Sequence, residues 1–300
     1  MRLVRTVAEL REALAPARRE ALRIGLVPTL GALHEGHLSL IERAREDCDL
    51  VVVSLFVNPS QFNERGDLDR YPRDEERDAQ LAAAAGADLL FAPAVEEVYP
   101  DGFATAVEVL GVTERLEGQA RGPGHFRGVT TVVTKLLCMA LPDVAYFGQK
   151  DAQQVVVIRH LAADLNLPVT IEALPTVREP DGLAMSSRNA LLSASERERA
   201  LALSAGLREA ERLAADGESA APALLAAVRG ELERAEVEPE YVALVDGETL
   251  EPLARLQTGA LLAVAARVGD VRLIDNVVLG ANAPADRPTP TGKASETCSA

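Results

Sequence analysis

The chain has no tryptophan, 3% aromatic residues and three cysteines, and each shortage removes a class of protein. So few rings leave few stacking platforms for bases, and the core must come from Leu, Val, Ile and Ala. Cys48, Cys138 and Cys298 lie too far apart for a C-x-x-C pair and are odd in number, which argues against a disulfide framework and a structural zinc site. Positive charge is also short. Thirty-one Lys and Arg face 46 Asp and Glu, and the net charge of −15 opposes attraction to nucleic-acid phosphates, leaving room only for a local basic pocket. Long apolar runs are missing as well. The most apolar helical stretch, "VTTVVTKLLCMAL" (129 to 141), is short and broken by Lys135, and "MRLVRTVAELREAL" lacks the uninterrupted apolar region of a secretory signal. These features lead us to expect a cytoplasmic, soluble chain with no membrane or nucleic-acid partner.

What is present is the balance of a globular protein, 48% hydrophobic and 26% charged, in 300 residues that suggest two domains. "LRIGLVP" (22 to 28), "DLVVVSLFVN" (49 to 58), "DLLFAP" (88 to 93), "VAYFGQK" (144 to 150) and "VTIEALP" (169 to 175) are short apolar runs rich in β-branched residues. Strands apolar on both faces belong to parallel sheets covered by helices, and helical patterns fill the gaps between these runs. The expectation is an α/β fold, a Rossmann-like doubly wound parallel sheet over residues 1–176. Beyond "REPDGLAMSSRN" two amphipathic helices and the strands "EYVALVD" and "ALLAVAARVGDVRLIDNVVL" predict a second, smaller α+β domain over 177–282, with a hairpin turn at Gly269 and Asp270. Residues 283–300, dense in Pro, Ala, Thr and Ser, have no apolar periodicity and read as a disordered tail.

Ligands of a doubly wound sheet bind beyond the carboxyl ends of its strands. "PTLGALHEGHLSL" (28 to 40) lies at such an end. Pro28 to Leu33 would form the turn, Gly36 would admit a ligand close to the backbone, and His37 would sit in a first helical turn, whose unpaired N–H groups favour anions. The blander reading is that His34 and His37 decorate a helix start. "FVNPSQF" (56 to 62) places Asn58 and Gln61 where strands deliver ligand contacts, or else builds an Asn-Pro turn. "FGQKDAQQ" (147 to 154) puts Lys150 and Asp151 at another strand-to-helix junction, with Gln154 able to share a cleft with Gln61; the alternative is a capped helix with an exposed lysine. "GPGHFRGVTT" (122 to 131) reads as a flexible loop with a helix start. "DGLAMSSRN" (181 to 189) offers Ser186, Ser187 and Arg188 to phosphates under a closing lid, or is a serine-rich linker.

In this order and spacing, "VPTLGALHEGH", "FVNPSQF", "RGPGHFRGV", "FGQKDAQQ" and "DGLAMSSRN" resemble the pantothenate synthetase family, the pantoate:beta-alanine ligases, to about residue 280. "HEGH" is similar to the H-x-G-H signature of the wider nucleotidyltransferase superfamily, and "MSSR" to its mobile phosphate-binding loop. The resemblance implies an AMP-forming ligase: ATP and (R)-pantoate give a pantoyl adenylate and diphosphate, then beta-alanine displaces AMP. It implies catalytic roles for His34, His37 and Lys150. It places ATP on Leu30, Gly31, Ala32 and Leu33, on His34, Glu35, Gly36 and His37, on Gly148, Gln149, Lys150 and Asp151, on Val177, and on Met185, Ser186, Ser187 and Arg188. Gln61 and Gln154 would hold pantoate and beta-alanine, with Asn58 supporting the same pocket. Mg²⁺ would accompany ATP with no dedicated protein metal site, residues 1–176 would bind ATP and pantoate, the second domain would be the lid, and the chain would be a homodimer. Leu30 (often Met), Gln149 (often Glu) and the missing leading lysine of "MSSR" depart from the family pattern. The rival readings are another H-x-G-H adenylyltransferase of cofactor synthesis and a nucleotide-binding sensor.

Overall fold

The computed structural model describes residues 1–62, 65–280 and 287–288. Six strands, β1 (Arg2–Val4), β2 (Ile24–Thr29), β3 (Leu50–Leu55), β4 (Leu89–Phe91), β5 (Val144–Gly148) and β6 (Thr170–Leu174), form one sheet. Their order is β1-β4-β3-β2-β5-β6, and every neighbouring pair is parallel. The apolar runs read from the sequence are β2 to β6. Pro28 and Thr29 still belong to β2, so the expected turn begins two residues later than Pro28.

Helices α1 (Val7–Arg19), α2 (Glu35–Asp47), α3 (Arg65–Arg70), α4 (Glu75–Ala84), α5 (Val95–Val98), α6 (Glu117–Arg121), α7 (Pro123–Ala140) and α8 (Ala152–Asp164) surround the sheet. Alternate strand residues face opposite ways. Leu26, Val52, Ala145 and Phe147 pack with Leu10 and Leu14 of α1, Val133 of α7 and Val157 of α8, while Val27, Val53 and Tyr146 pack with Ile41 of α2 and Ala82 of α4. Thus α7 and α2 cover opposite faces. "GPGHFRG" is helical from Pro123 onward rather than a flexible loop, with proline in the first helical positions where its missing N–H costs nothing. Gly128 lets α7 lie against the short 3-10 turn Pro59–Gln61: a Cβ there would fall 2.3 Å from the Ser60 carbonyl oxygen.

The two-residue strand β7 (Val177–Arg178) precedes α9 (Ala194–Ala215) and α10 (Ala221–Arg234), which pack Leu203, Leu207, Leu224 and Val228 onto Leu262, Val264 and Leu273 of an antiparallel sheet. That sheet comprises β8 (Pro239–Val245), β9 (Ala260–Val268) and β10 (Val271–Leu279) in the order β10-β9-β8, with the hairpin turning at Gly269 and Asp270 as expected. The expected tail, 283–300, lies outside the described residues except for β11 (Arg287–Pro288), which pairs in parallel with β7. No described helix is long and apolar enough to cross a membrane.

Candidate active site

Strand order reverses between β2 and β5, the point at which connections leave in opposite directions and open a crevice. A cavity lies there, lined from β2 and α2 by Leu30, His34, Gly36 and His37, and from the β5–α8 junction by Gly148, Lys150, Asp151 and Gln154. Capping marks both junctions. Thr6, Asp74 and Ser193 cap α1, α4 and α9 with their side chains, whereas His34 and Asp151, at the cap positions of α2 and α8, make no such bond. No cap side chain therefore competes with a ligand at these helix starts.

His34 and His37 stack with ring centroids 4.1 Å apart and an interplanar angle of 33°. A Cβ on Gly36 would sit 3.0 Å from the His34 ring, so the glycine of H-x-G-H makes room for its histidine neighbour. Burial above all, then His37 and Lys150, hold His34 down at about 2. Burial likewise holds His37 at about 4, with Asp151 raising it and Lys150 lowering it. Both imidazoles are neutral at physiological pH and act as N–H donors rather than cations. Both Nδ1 atoms are buried without a partner among the described residues, an arrangement that a ligand would complete. The cationic charge comes from Lys150, 3.6 Å from Asp151, and from Arg188.

Met185, Ser186, Ser187 and Arg188 line the same cavity beside Val177. Met185 N donates to the Val177 carbonyl (3.0 Å), and Ser186 Oγ accepts from Arg188 N (3.3 Å). Tyr71 bridges this loop to the β2–α2 turn, bonding Ser187 and donating to the Gly31 carbonyl at 3.4 Å.

The cavity is also lined by Gln61, Gln154 and His125, with an apolar wall that includes Phe126, Val129, Val133, Leu261 and Ala263. Asn58 does not line the cavity. It is fully buried and donates to Gln61 Oε1 (3.0 Å) and the Gly128 carbonyl (3.2 Å), while its oxygen accepts from Ser60 and Tyr99. Its role is therefore orientation: with Oε1 occupied, Gln61 turns its amide N–H groups to the ligand.

Several other expected contacts are engaged elsewhere among the described residues. Ala32 N and Leu33 N, assigned to ATP, each donate at 2.8 Å to the buried carboxylate of Asp78 from α4. Gly31 N donates to Thr29 Oγ1 (3.3 Å), and Gly31, Ala32, Leu33 and Glu35 do not line the cavity. Gln149 does not line it either, because its side chain turns to Asn276 of β10 (3.5 Å). The remaining sequence-predicted residues converge.

Sequence reasoning missed Asp78, Tyr71, His125, Glu117 and Asn276. Asn276 donates to the carbonyls of Gln149 (3.0 Å) and Lys150 (2.8 Å), holding the β5–α8 turn from the second sheet. Glu117 accepts both Arg272 guanidinium nitrogens at 2.7 Å, Tyr241 OH at 2.8 Å and Arg121 at 3.0 Å. Burial pushes its carboxyl upward, but Arg272, Arg121 and Tyr241 outweigh that and hold it at about 2.

The family model for pantoate-beta-alanine ligase matches residues 2–278. The chain belongs to the pantoate-beta-alanine ligase family. It is 53% identical over 283 residues to the pantothenate synthetase of Moorella thermoacetica, covering 94% of this chain and 100% of that one. It is 56% identical over 288 residues to that of Myxococcus xanthus, covering 95% and 98%. Among solved structures, a Thermus thermophilus pantothenate synthetase superposes with a TM-score of 0.88 at 49% identity, covering 93% and 99%. A Francisella tularensis pantoate-beta-alanine ligase complexed with beta-gamma ATP and beta-alanine gives a TM-score of 0.78 at 35% identity, covering 93% and 97%. The ligase fold, a parallel sheet with a smaller antiparallel one, is shared.

Proposed function

We propose that the chain joins (R)-pantoate to beta-alanine in two steps within this one cavity. In the first, a pantoate carboxylate oxygen attacks the α-phosphorus of ATP, and the bond to diphosphate breaks. Charge then grows on the phosphate oxygens, where positioned donors stabilise the transition state more than the ground state. His34 and His37 supply neutral N–H donors, and Lys150, Arg188 and Ser187 supply charge and a hydroxyl. The backbone of α2 and α8, with Leu30, Gly36, Gly148, Asp151 and Val177, would hold the rest of ATP. Gln61 and Gln154 would hold pantoate, its gem-dimethyl carbon against the apolar wall. In the second step the amine of beta-alanine attacks the acyl carbon and AMP leaves. Because water competes for the adenylate, the site needs closure, which we assign to residues 177–282 above a nucleotide- and pantoate-binding part, 1–176.

Mg²⁺ would enter on the triphosphate. Among the described residues no group of three or more His, Cys, Asp or Glu side chains could hold a metal. As expected of the family, we place the enzyme in the cytoplasm as a homodimer; the exposed Phe103 and Leu110 on the extended segment before α6 offer apolar surface for a second copy.

The observation that carries the reading is that one cavity is lined both by His34, His37 and Lys150 and by the amides of Gln61 and Gln154. Exchange of labelled diphosphate into ATP tests it. Exchange should depend on pantoate and not on nicotinamide mononucleotide or phosphopantetheine; support by either rival, or none by pantoate, would sink it.

A further inference from the structure

His125 has no role in the adenylation step, yet it faces the cavity beside Gln61. Its Nδ1 lies 2.9 Å from the Gln61 carbonyl oxygen. A carbonyl can only accept, so Nδ1 carries the proton and Nε2 is left with a lone pair. None of the described groups bonds Nε2. Gln61 is thereby registered twice, at its side-chain oxygen by Asn58 and at its backbone oxygen by His125. The residue that presents the acyl group and the imidazole that accepts a proton are thus held as one unit. His125 stands in the first turn of α7, and Gln61 ends the 3-10 turn packed against that helix.

The second half-reaction has need of such a group. When the unprotonated amine of beta-alanine attacks the acyl carbon, its nitrogen becomes positively charged and must lose a proton as the C–O bond to AMP breaks and its electron pair goes to the phosphate oxygen. We propose that His125 Nε2 is the general base that takes this proton, an inference that rests on the two-step reading above. The charged groups facing the ring are Arg121 and Glu117 of α6 and Asp151 at the β5–α8 junction. Burial, then Arg121, hold the imidazole at about 4 despite the two carboxylates, so it is unprotonated at neutral pH. A base this weak suffices, because the amine proton becomes acidic once the C–N bond forms.

His125→Asn separates catalysis from support, since the asparagine amide can still donate to the Gln61 carbonyl from roughly the Nδ1 position but has nothing at Nε2. Pantoate-dependent diphosphate exchange should fall much less than pantoyl transfer does. Transfer of the pantoyl group from preformed adenylate to beta-alanine, followed by quenched flow, should fall roughly 10²-fold or more. Equal slowing of both half-reactions would make His125 a mere tether for Gln61, and transfer at the parental rate would remove it from the chemistry; either overturns the proposal. Failure of the two-step reading itself shows separately, as absent exchange in the unaltered enzyme.

Discussion

Asp78 offers the most direct measure of how the β2–α2 turn is held. Its carboxylate is 1% exposed and accepts two backbone bonds of 2.8 Å, from Ala32 N and Leu33 N. The turn so gripped is strained: Gly31 has φ +92° and Ala32, which has a Cβ, φ +52°. A non-glycine residue in that region costs about 1–3 kcal/mol and persists only where its surroundings over-determine it. Hydrogen bonds to a charged acceptor contribute about 1.5–3 kcal/mol each, so Asp78→Ala forfeits about 3–6 kcal/mol before water enters the space and recovers part. We expect a net loss of about 2–4 kcal/mol, a large share of a typical total of about 5–15 kcal/mol. Arg77, 3.6 Å away and mostly exposed, adds little to this. Asp78→Asn keeps one acceptor and should lose about half as much.

Urea denaturation at pH 7 reads the midpoint shift, provided the slope is unchanged. Diphosphate exchange reads the site: with the turn relaxed, Leu30 and His34 drift and exchange should fall at least roughly tenfold, since small misplacements of positioned groups are costly. The order parental, Asn, Ala is the signature. Equal midpoints for Asp78→Asn and the parental chain, with exchange intact, would refute the role of this carboxylate.

Other expectations follow from the same geometry. His37→Ala should slow adenylate formation roughly 10²–10³-fold with the fold intact, as loss of one transition-state donor does, and quenched flow should show no comparable defect when preformed adenylate is supplied. Gln154→Ala should raise the pantoate KM while calorimetry finds ATP binding little changed; the reverse pattern would misassign the amide. His34, His37 and His125 sit at about 2, about 4 and about 4 in the folded chain, against roughly 6.5 unfolded. The unfolded chain therefore binds more protons between pH 6.5 and 4, so stability must fall as pH drops through that window, and His37→Gln should flatten the fall in urea midpoint between pH 7 and 5. Glu117→Gln strands the Arg272 charge, only partly compensated by Glu240, and should cost roughly 2–4 kcal/mol by thermal or urea unfolding.

Legibility in the sequence followed the range of the interactions. β2 to β6 could be read because a strand buried on both faces needs an unbroken apolar run, and "LVVVSL" is one. β1 and α1 escaped notice: three residues in a charged context make no run, although the T-x-x-E box of Thr6 and Glu9 was an available helix-start signal. The helical character of "GPGHFRG" was hidden by glycines that suit a loop equally well. Only packing shows that Gly128 is there for the close approach of α7 to Ser60. His34, His37, Lys150 and Gln154 could be found because strand-to-helix junctions put catalytic groups near one another in sequence. Asp78 lies 45 residues beyond Leu33 and Asn276 lies 126 beyond Lys150, so no local pattern announces either partner.

These distant partners share a property that bears on the lid. The second sheet reaches the cavity through polar contacts that include Arg272 and Tyr241 with Glu117, and Asn276 with the carbonyls of Gln149 and Lys150. Behind them Val245, Leu250, Leu261 and Ala263 belong to the same apolar cluster as α7 and α8. Pulling one sheet away from the other would break all of these together and strand buried charges, whose isolation costs about 3–5 kcal/mol apiece. Tyr71 ties the 185–188 loop to the β2–α2 turn, while Met185 N bonds the Val177 carbonyl and Arg188 N bonds Ser186 Oγ. A lid that opens on every turnover must be easy to move, and a site that discriminates among acids must not be. The two sheets, so joined, keep Gln61, His125 and the phosphate donors in register, and the closure proposed for residues 177–282 has to leave those contacts in place.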